Sequence, residues 1–107
     1  MTDLEWLLSY FPEEGLCHRG AFFRVKHDGG TRYALSISVS GPCGDKTPHP
    51  VLTFDYHDRQ LNYRYFADFL ARPVKTCYAN DENLPFFQEA MTDLLAQFLV
   101  VFPRQEL

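Results

Sequence analysis

Cysteine and histidine side chains are the first candidates for chemistry in this chain, because thiolates and imidazoles are the usual ligands of zinc. The candidates are Cys17, His18, Cys43, His49, His57 and Cys77. Cys17 and His18 are adjacent, and neighbouring residues of an extended strand point to opposite faces, so the two would seldom bind one ion. The chain has no C-x2-C or H-x3-H pair, on which structural zinc sites usually draw. The sequence therefore predicts no metal site and no cofactor.

Nucleophiles and paired carboxylates are the next candidates, and none has local support. Cys43, or Cys17, would need a histidine as base, and no helix N-terminus follows Cys43 to activate its thiol. Asp55 would pair with Asp58, or either with Asp68, yet nothing nearby indicates a pocket that holds a proton on one carboxyl. The chain also lacks the phosphate-binding, metalloprotease and serine-hydrolase motifs. We therefore expect a protein that is not an enzyme.

An arginine interleaved with aromatic residues raises the question of nucleic acid. The segment Asn62–Phe66 reads N-Y-R-Y-F, and strands that carry aromatics stack single-stranded bases. Four cations would share one sheet face if the strand registers agree: Arg24, Lys26, Arg32 and Arg64. Against this, the net charge is −4 and there is no basic run, so the electrostatic footprint is weak. A single-stranded RNA binder using Tyr63, Arg64 and Tyr65 is therefore an alternative, and nucleic acid is not the expected partner.

Tyrosines bordered by carboxylates predict a protein-binding surface. The aromatic share is 16%, with six Tyr, and tyrosine serves interfaces better than cores. Aromatic anchors exclude water from a contact, and carboxylates beside them speed the encounter with a basic partner. The residues that we expect to bind this partner are Asp55, Tyr56, Asp58, Tyr63, Tyr65, Asp81 and Glu82.

Two helices must position these residues, one early in the chain and one late. The late helix is predicted within Asn83–Phe102, with Asn83 as its N-cap and Pro103 as its stop. Its apolar residues recur at spacings of three and four, which indicates one broad buried face. The stripe is formed by Phe87, Met91, Leu94 and Phe98. The early helix is predicted from a capping box, Thr2 with Glu5, and ends before Pro12.

Alternating apolar and polar residues predict the strands. Gly20–His27 and Arg32–Ser40 alternate on either side of an Asp-Gly-Gly turn, as in a hairpin. Val51–Tyr56 is predicted as a third strand. Leu61–Phe66 fits a strand and also fits helical spacing; we favour the strand, followed by a single helical turn that Pro73 closes.

Two further segments lack regular patterns. Gly41–Pro50 holds two Gly and three Pro, so it is predicted to be irregular and is a candidate functional loop. Val74–Glu82 is predicted to be mostly loop, with a short extended piece at Val74–Tyr78.

Length, charge and cysteine number limit the classes of protein. At 107 residues the chain fits one domain, 1–107, with a core of its own. Three cysteines cannot form a closed set of disulfides. The first residues lack the pattern of a signal peptide, and no apolar run is long enough to span a bilayer. We therefore expect a cytoplasmic protein with reduced thiols.

These elements predict an α+β domain in which a three- or four-stranded antiparallel sheet has N-terminal and C-terminal helices packed on one face. The expected function is that of a small acidic protein-binding module. Its most concrete form is an inhibitor, such as an immunity protein or antitoxin, that blocks a basic toxin or nuclease. A dimeric chaperone or adaptor is the alternative binding protein. A homodimer is considered because Phe98–Phe102 is apolar all round and needs a second layer or another subunit to cover it.

Overall fold

Within residues 2–40 and 46–104, which the computed structural model describes (for Lys46, the backbone alone), there are two helices and six strands. The helices are α1 (Asp3–Tyr10) and α2 (Leu84–Val101). The strands are β1 (Leu16–His18), β2 (Ala21–His27), β3 (Arg32–Ser40), β4 (Lys46–His57), β5 (Gln60–Asp68) and β6 (Lys75–Tyr78). They form one sheet in chain order, each antiparallel to the next. Neither helix in this part of the chain has the length and apolarity needed to cross a membrane.

One face of the sheet forms the hydrophobic core together with both helices. The predicted stripe of α2 is confirmed, because all four of its residues are buried. The strands contribute Phe23, Leu35, Ile37, Leu52, Phe54 and Phe66 to the same cluster. Strand pairing explains this common face, since Phe23 lies opposite Ile37 and Leu52 lies between Leu35 and Phe66.

The early helix α1 closes one end of this core. It begins with the predicted capping box, in which the Thr2 hydroxyl accepts from the Glu5 N–H and the Glu5 carboxylate accepts from the Thr2 N–H. Trp6 stacks on Phe102 with ring centroids 5.4 Å apart. The apolar run at the end of α2 is therefore covered by another element of the same chain, although Val100 keeps 69% of its surface exposed.

The opposite face of the sheet has a different composition. We call it the open face, because neither of the described helices packs on it. Strand pairing places mostly small side chains at its centre, namely Ala34, Ser36, Ser38, Val51, Thr53 and Ala67. Larger side chains stand at its borders, with Arg24 and Lys26 on β2 and Tyr78 on β6. An antiparallel sheet tolerates this arrangement, since one of its faces need not be covered.

The prediction of a three- or four-stranded sheet is wrong, whereas the α+β class is compatible with the structure. The strand missed altogether is β1, because three residues are too few to show alternation. It follows Gly15, whose φ is +83° and where a Cβ would lie 2.5 Å from the Phe22 ring. The short piece predicted at Val74–Tyr78 is strand β6, which pairs with β5 and completes the sheet.

Two local predictions also need correction. The irregular loop predicted at Gly41–Pro50 is wrong for its second half, because β4 begins at Lys46. Pro48 is accommodated where the β3–β4 pairing shifts register, and such irregularities tolerate a residue without an N–H. The first half of that loop, including the candidate nucleophile Cys43, lies outside the described residues. The favoured strand at Leu61–Phe66 is confirmed, but it continues to Asp68, and a turn replaces the predicted helical turn.

The ring of Phe98 offers a direct test of this packing. It is fully buried and contacts Phe11 of the α1 end and Phe23 of β2, with ring centroids 5.3 and 5.2 Å away. Replacing Phe98 with Ala should lower the free energy of unfolding by about 3–5 kcal/mol, because it removes the transfer energy of the ring and leaves a cavity. Urea denaturation followed by Trp6 fluorescence measures this change.

Val100→Ala is the matched control, since this exposed residue lies on the same helix. It should change the free energy of unfolding by less than about 0.5 kcal/mol. Equal effects of the two substitutions would contradict the orientation of α2.

Candidate functional site

Two arginines converge on one carboxylate on the open face. Arg32 lies opposite Asp55 in the β3–β4 pairing, and its Nε donates to Asp55 Oδ1 at 3.0 Å. The β4–β5 pairing shifts register between Thr53 and Phe54, where Arg64 is the extra residue of β5. Its Nε donates to the other oxygen, Asp55 Oδ2. The bulge therefore brings the second guanidinium to the same carboxylate as the first.

The carboxylate of this cluster is buried, whereas the two guanidinium groups are not. The Asp55 side chain is 12% exposed, against 47% for Arg32 and 55% for Arg64. The hydrogen bond from Arg32, and then that from Arg64, lowers the pKa of Asp55 below its usual value despite burial. Within the described residues only the Nε atom of each arginine is engaged, which leaves their terminal Nη donors for another anion.

Two tyrosines lie beside the arginines on the open face, whereas the Tyr63 ring contacts Phe87 on the core side. Tyr65 and Tyr78 are paired across β5 and β6, and their ring centroids are 4.9 Å apart. Together with Arg32 and Arg64 they line an open cleft of about 470 Å³, to which Tyr63 also contributes. Burial raises the pKa of the Tyr63 phenol. We call this cleft, with the Arg32–Asp55–Arg64 cluster, the arginine–tyrosine cleft.

The residues predicted to bind a partner do not form one patch. Asp55, Tyr63 and Tyr65 meet at the arginine–tyrosine cleft, and Asp81 lines a second cleft that shares Tyr63. The remaining three lie apart from it. Tyr56 is half-buried near α1, Asp58 is exposed in the β4–β5 turn, and Glu82 is exposed in the turn before α2. Because Asp55 is already neutralised by two arginines, it does not present a free carboxylate.

A second surface lies on the helix side of the sheet. An apolar groove of about 320 Å³ runs beside α2, with Phe66 and Phe86 among the side chains that line it. Glu89 and Asp93 also line it, one helical turn apart. We call it the acidic groove. The four-residue spacing of these two carboxylates on the outer side of the predicted helix is the signal that the sequence carries for this groove.

The turn between β5 and β6 displays apolar side chains. Phe69, Leu70 and Val74 are 44%, 39% and 51% exposed. The turn is held in place by the Asp68 carboxylate. Its Oδ1 accepts from the N–H groups of Leu70 and Ala71, and it is 2.6 Å from Nδ1 of His49.

Electrostatics fix the ionisation of that anchoring carboxylate. Burial opposes ionisation of Asp68, but the hydrogen bonds from His49, Leu70 and Ala71 outweigh burial and lower its pKa. The turn that displays Phe69, Leu70 and Val74 is therefore held by a charged group at neutral pH.

The metal and catalytic candidates are dispersed. Cys17 is exposed on β1, and Cys77 is half-buried on β6; both are free thiols. Among the described residues, no three of the His, Cys, Asp and Glu side chains are grouped to hold a metal ion. Asp55 binds arginines while Asp68 binds His49, so these two carboxylates serve separate contacts.

Comparison with known proteins adds no relative. No protein-family model matches the chain, and no curated protein or solved structure is significantly similar to it. The functional argument therefore rests on the geometry of this chain.

The buried carboxylate of the arginine cluster gives a test by pH. Because the folded pKa of Asp55 is lowered, its contribution to stability is present above the unfolded pKa of about 3.9 and is lost as pH falls through the folded value. Replacing Asp55 with Asn should lower the free energy of unfolding by about 1 kcal/mol at pH 7, through loss of two charge-assisted hydrogen bonds. Urea denaturation between pH 7 and pH 2 should show the difference from the unmodified protein shrinking with acid.

Asp58→Asn is the control, because this exposed aspartate has φ +50°, a conformation that Asn tolerates well. A pH-independent difference at Asp55, or an equal one at Asp58, would contradict the role of the cluster.

Proposed function

We propose that the protein is a non-enzymatic protein-binding module that takes a basic segment of another protein in the acidic groove. The observation that carries this proposal is the combination of an apolar floor with two rim carboxylates on one helix. Apolar anchors buried in such a groove supply most of the affinity, whereas rim carboxylates mainly steer and orient the partner.

The floor of the groove is suited to a side chain that carries both apolar and positive parts. Phe86 is bounded on one side by Phe66, with ring centroids 4.9 Å apart at 87°. Lys75 places its Nζ 3.8 Å from the Phe86 centroid, so this ring already accepts a cation on its π face. A lysine or arginine of the partner would lay its aliphatic stem on the part of the apolar floor that Lys75 leaves open, and its charge against Glu89 and Asp93.

The exposed turn extends the surface beyond the groove. The turn lies near one end of the acidic groove by chain connection, because its anchors follow or precede residues that line the groove. Asp68 follows Phe66 by two residues, and His49 precedes Pro50. Single exposed apolar residues are common on protein surfaces, but three on one structured turn form a patch, and such patches commonly mark protein contacts. We assign Phe69, Leu70 and Val74 the role of a second anchor.

The wider charge distribution supports a basic partner. Among the described residues, the helices and their flanking turns carry most of the exposed carboxylates, namely Asp3, Glu13, Glu14, Asp81, Glu82, Glu89 and Asp93. Asp81 and Glu82 precede α2 and would add long-range attraction, as would Asp58. The most concrete form of the proposal is an inhibitor, such as an immunity protein or antitoxin, of a basic toxin or nuclease. The free thiols of Cys17 and Cys77 fit a reducing compartment such as the cytoplasm.

A homodimeric chaperone or adaptor is the second candidate. Tyr10 and Val100 are 57% and 69% exposed on the helix layer, and both would lose water in a dimer. Light scattering during gel filtration measures the molar mass and so tests this candidate. A monomeric mass at working concentration would exclude the homodimer.

Charge reversal at the groove tests the main proposal. Glu89→Lys with Asp93→Lys should weaken binding of the partner at least about ten-fold, because both rim carboxylates become repulsive to a basic segment. The partner is first captured from native lysate on the immobilised protein and identified by mass spectrometry. Its affinity for each variant is then measured by calorimetry.

Glu13→Lys with Glu14→Lys is the matched control, since it makes the same charge change in the turn after α1. A partner that binds this control normally and the groove variant weakly supports the proposal. Equal loss in both variants would mean that only net charge matters, and no loss at the groove would refute the site.

A further inference from the structure

The charges of this acidic protein are distributed unevenly between the two sides of the sheet. Among the described residues, the helix layer carries more carboxylates than cations, with Arg104 paired to Asp3 and Lys75 over Phe86, whereas the open face carries Arg24, Lys26, Arg32 and Arg64 and the buried carboxylate of Asp55. Lys26 also contacts Asp28, at 3.5 Å, in the adjoining turn. A helix layer stands about 10 Å from the sheet it covers, which is about one Debye length at 0.1 M salt. The net charge of −4 therefore says little about the field above the open face.

The arginine pair is arranged to receive an anion. Asp55 accepts one hydrogen bond from the Nε atom of each guanidinium group, which holds both groups near the carboxylate without consuming their Nη donors. Two guanidinium groups and one carboxylate leave the cluster positive. Guanidinium forks match phosphate oxygens in bidentate geometry, and holding them in advance lowers the entropy cost of binding.

Tyr65 and Tyr78 lie close enough to the arginines to contact a planar group that is covalently attached to the bound anion. Tyr65 and Tyr78 share a cleft with Arg32 and Arg64. The Tyr78 ring is 77% exposed, and in the described residues its ring contact is with Tyr65. Tyr65 is half-buried, so Tyr78 is the exposed member of the pair. Aromatic side chains next to cations are the arrangement that stacks unpaired bases while their phosphates are neutralised.

The centre of the open face leaves room for the rest of such a ligand. One row across the sheet runs Lys26, Ala34, Thr53, Tyr65, Tyr78. At about 4.8 Å per strand the row spans about 19 Å, and its middle is occupied by small side chains. This length is sufficient for the roughly two or three bases that a sheet with aromatic side chains stacks.

We propose that the open face binds single-stranded nucleic acid, with phosphate groups on Arg32 and Arg64 and bases on Tyr65 and Tyr78. This site is on the side of the sheet opposite to the acidic groove, and it does not depend on the protein partner proposed above. An acidic peptide would satisfy the arginines, but its carboxylates bring no planar group for the tyrosines.

Fluorescence anisotropy with a labelled 12-nucleotide RNA of mixed sequence tests the proposal. The dissociation constant should rise with salt between 25 and 200 mM, with a logarithmic slope of about 0.7 per phosphate contacted. Arg64→Gln and Arg32→Gln should each weaken binding and lower that slope by about 0.7. Tyr78→Ala should weaken binding by about 5- to 150-fold with the slope unchanged, because stacking is not electrostatic.

The controls separate this site from general charge effects. Arg59→Gln removes the same charge in the β4–β5 turn and should leave both affinity and slope unchanged. Circular dichroism of each variant checks that the fold is kept, which we expect because all four substituted residues are exposed. The same RNA in duplex form should bind more weakly, since its bases are not free to stack.

Three results would overturn the proposal. The first is binding weaker than about 100 µM at the lowest salt, which is no tighter than nonspecific contact. The second is an Arg59→Gln effect equal to that of Arg64→Gln. The third is a polyglutamate peptide that competes as well as RNA at equal charge and is unaffected by Tyr78→Ala, which would make the face a site for acidic peptides.

Discussion

The packing of one helix face on one sheet face is the constraint from which the other features follow. Phe87, Met91, Leu94 and Phe98 form a single stripe, and a stripe covers one layer only. With α1 at its side, α2 seals that face of the sheet. The chain has no further described helix for the opposite face, so that face must be compatible with water. Its small and polar side chains satisfy this requirement, and the same requirement makes it available to a ligand.

The sequence was sufficient for elements with a long, regular pattern. The stripe of α2 and the hairpin at 20–40 each rest on a repeat that side-chain burial dictates. The capping box of α1 rests on two residue types at a fixed spacing that form reciprocal hydrogen bonds. The number of strands was not predictable in the same way. Strand β1 has three residues, and β6 has four, so their existence depends on pairing with a longer neighbour and not on their own composition.

The candidate site was harder to predict because it depends on register. The sharing of one face by Arg24, Lys26, Arg32 and Arg64 was conditional on strand pairing, which no local pattern specifies. The bulge at Arg64 brings that side chain to Asp55, although eight residues, including the β4–β5 turn, separate the two in the chain. A carboxylate expected to meet a partner is therefore held by two arginines of its own sheet. The acidic groove depends on Pro50 and Phe66 meeting α2, a contact between distant parts of the chain.

The order of the strands has a consequence for synthesis on the ribosome. Each strand pairs only with its neighbours in sequence, so the meander is able to assemble progressively as the nascent polypeptide emerges. The apolar face of the sheet, in contrast, stays uncovered until α2 is synthesised, because α2 is the last of these elements to be translated. During that interval Leu35, Leu52 and Phe54 are without their cover, and the growing chain is most dependent on chaperones.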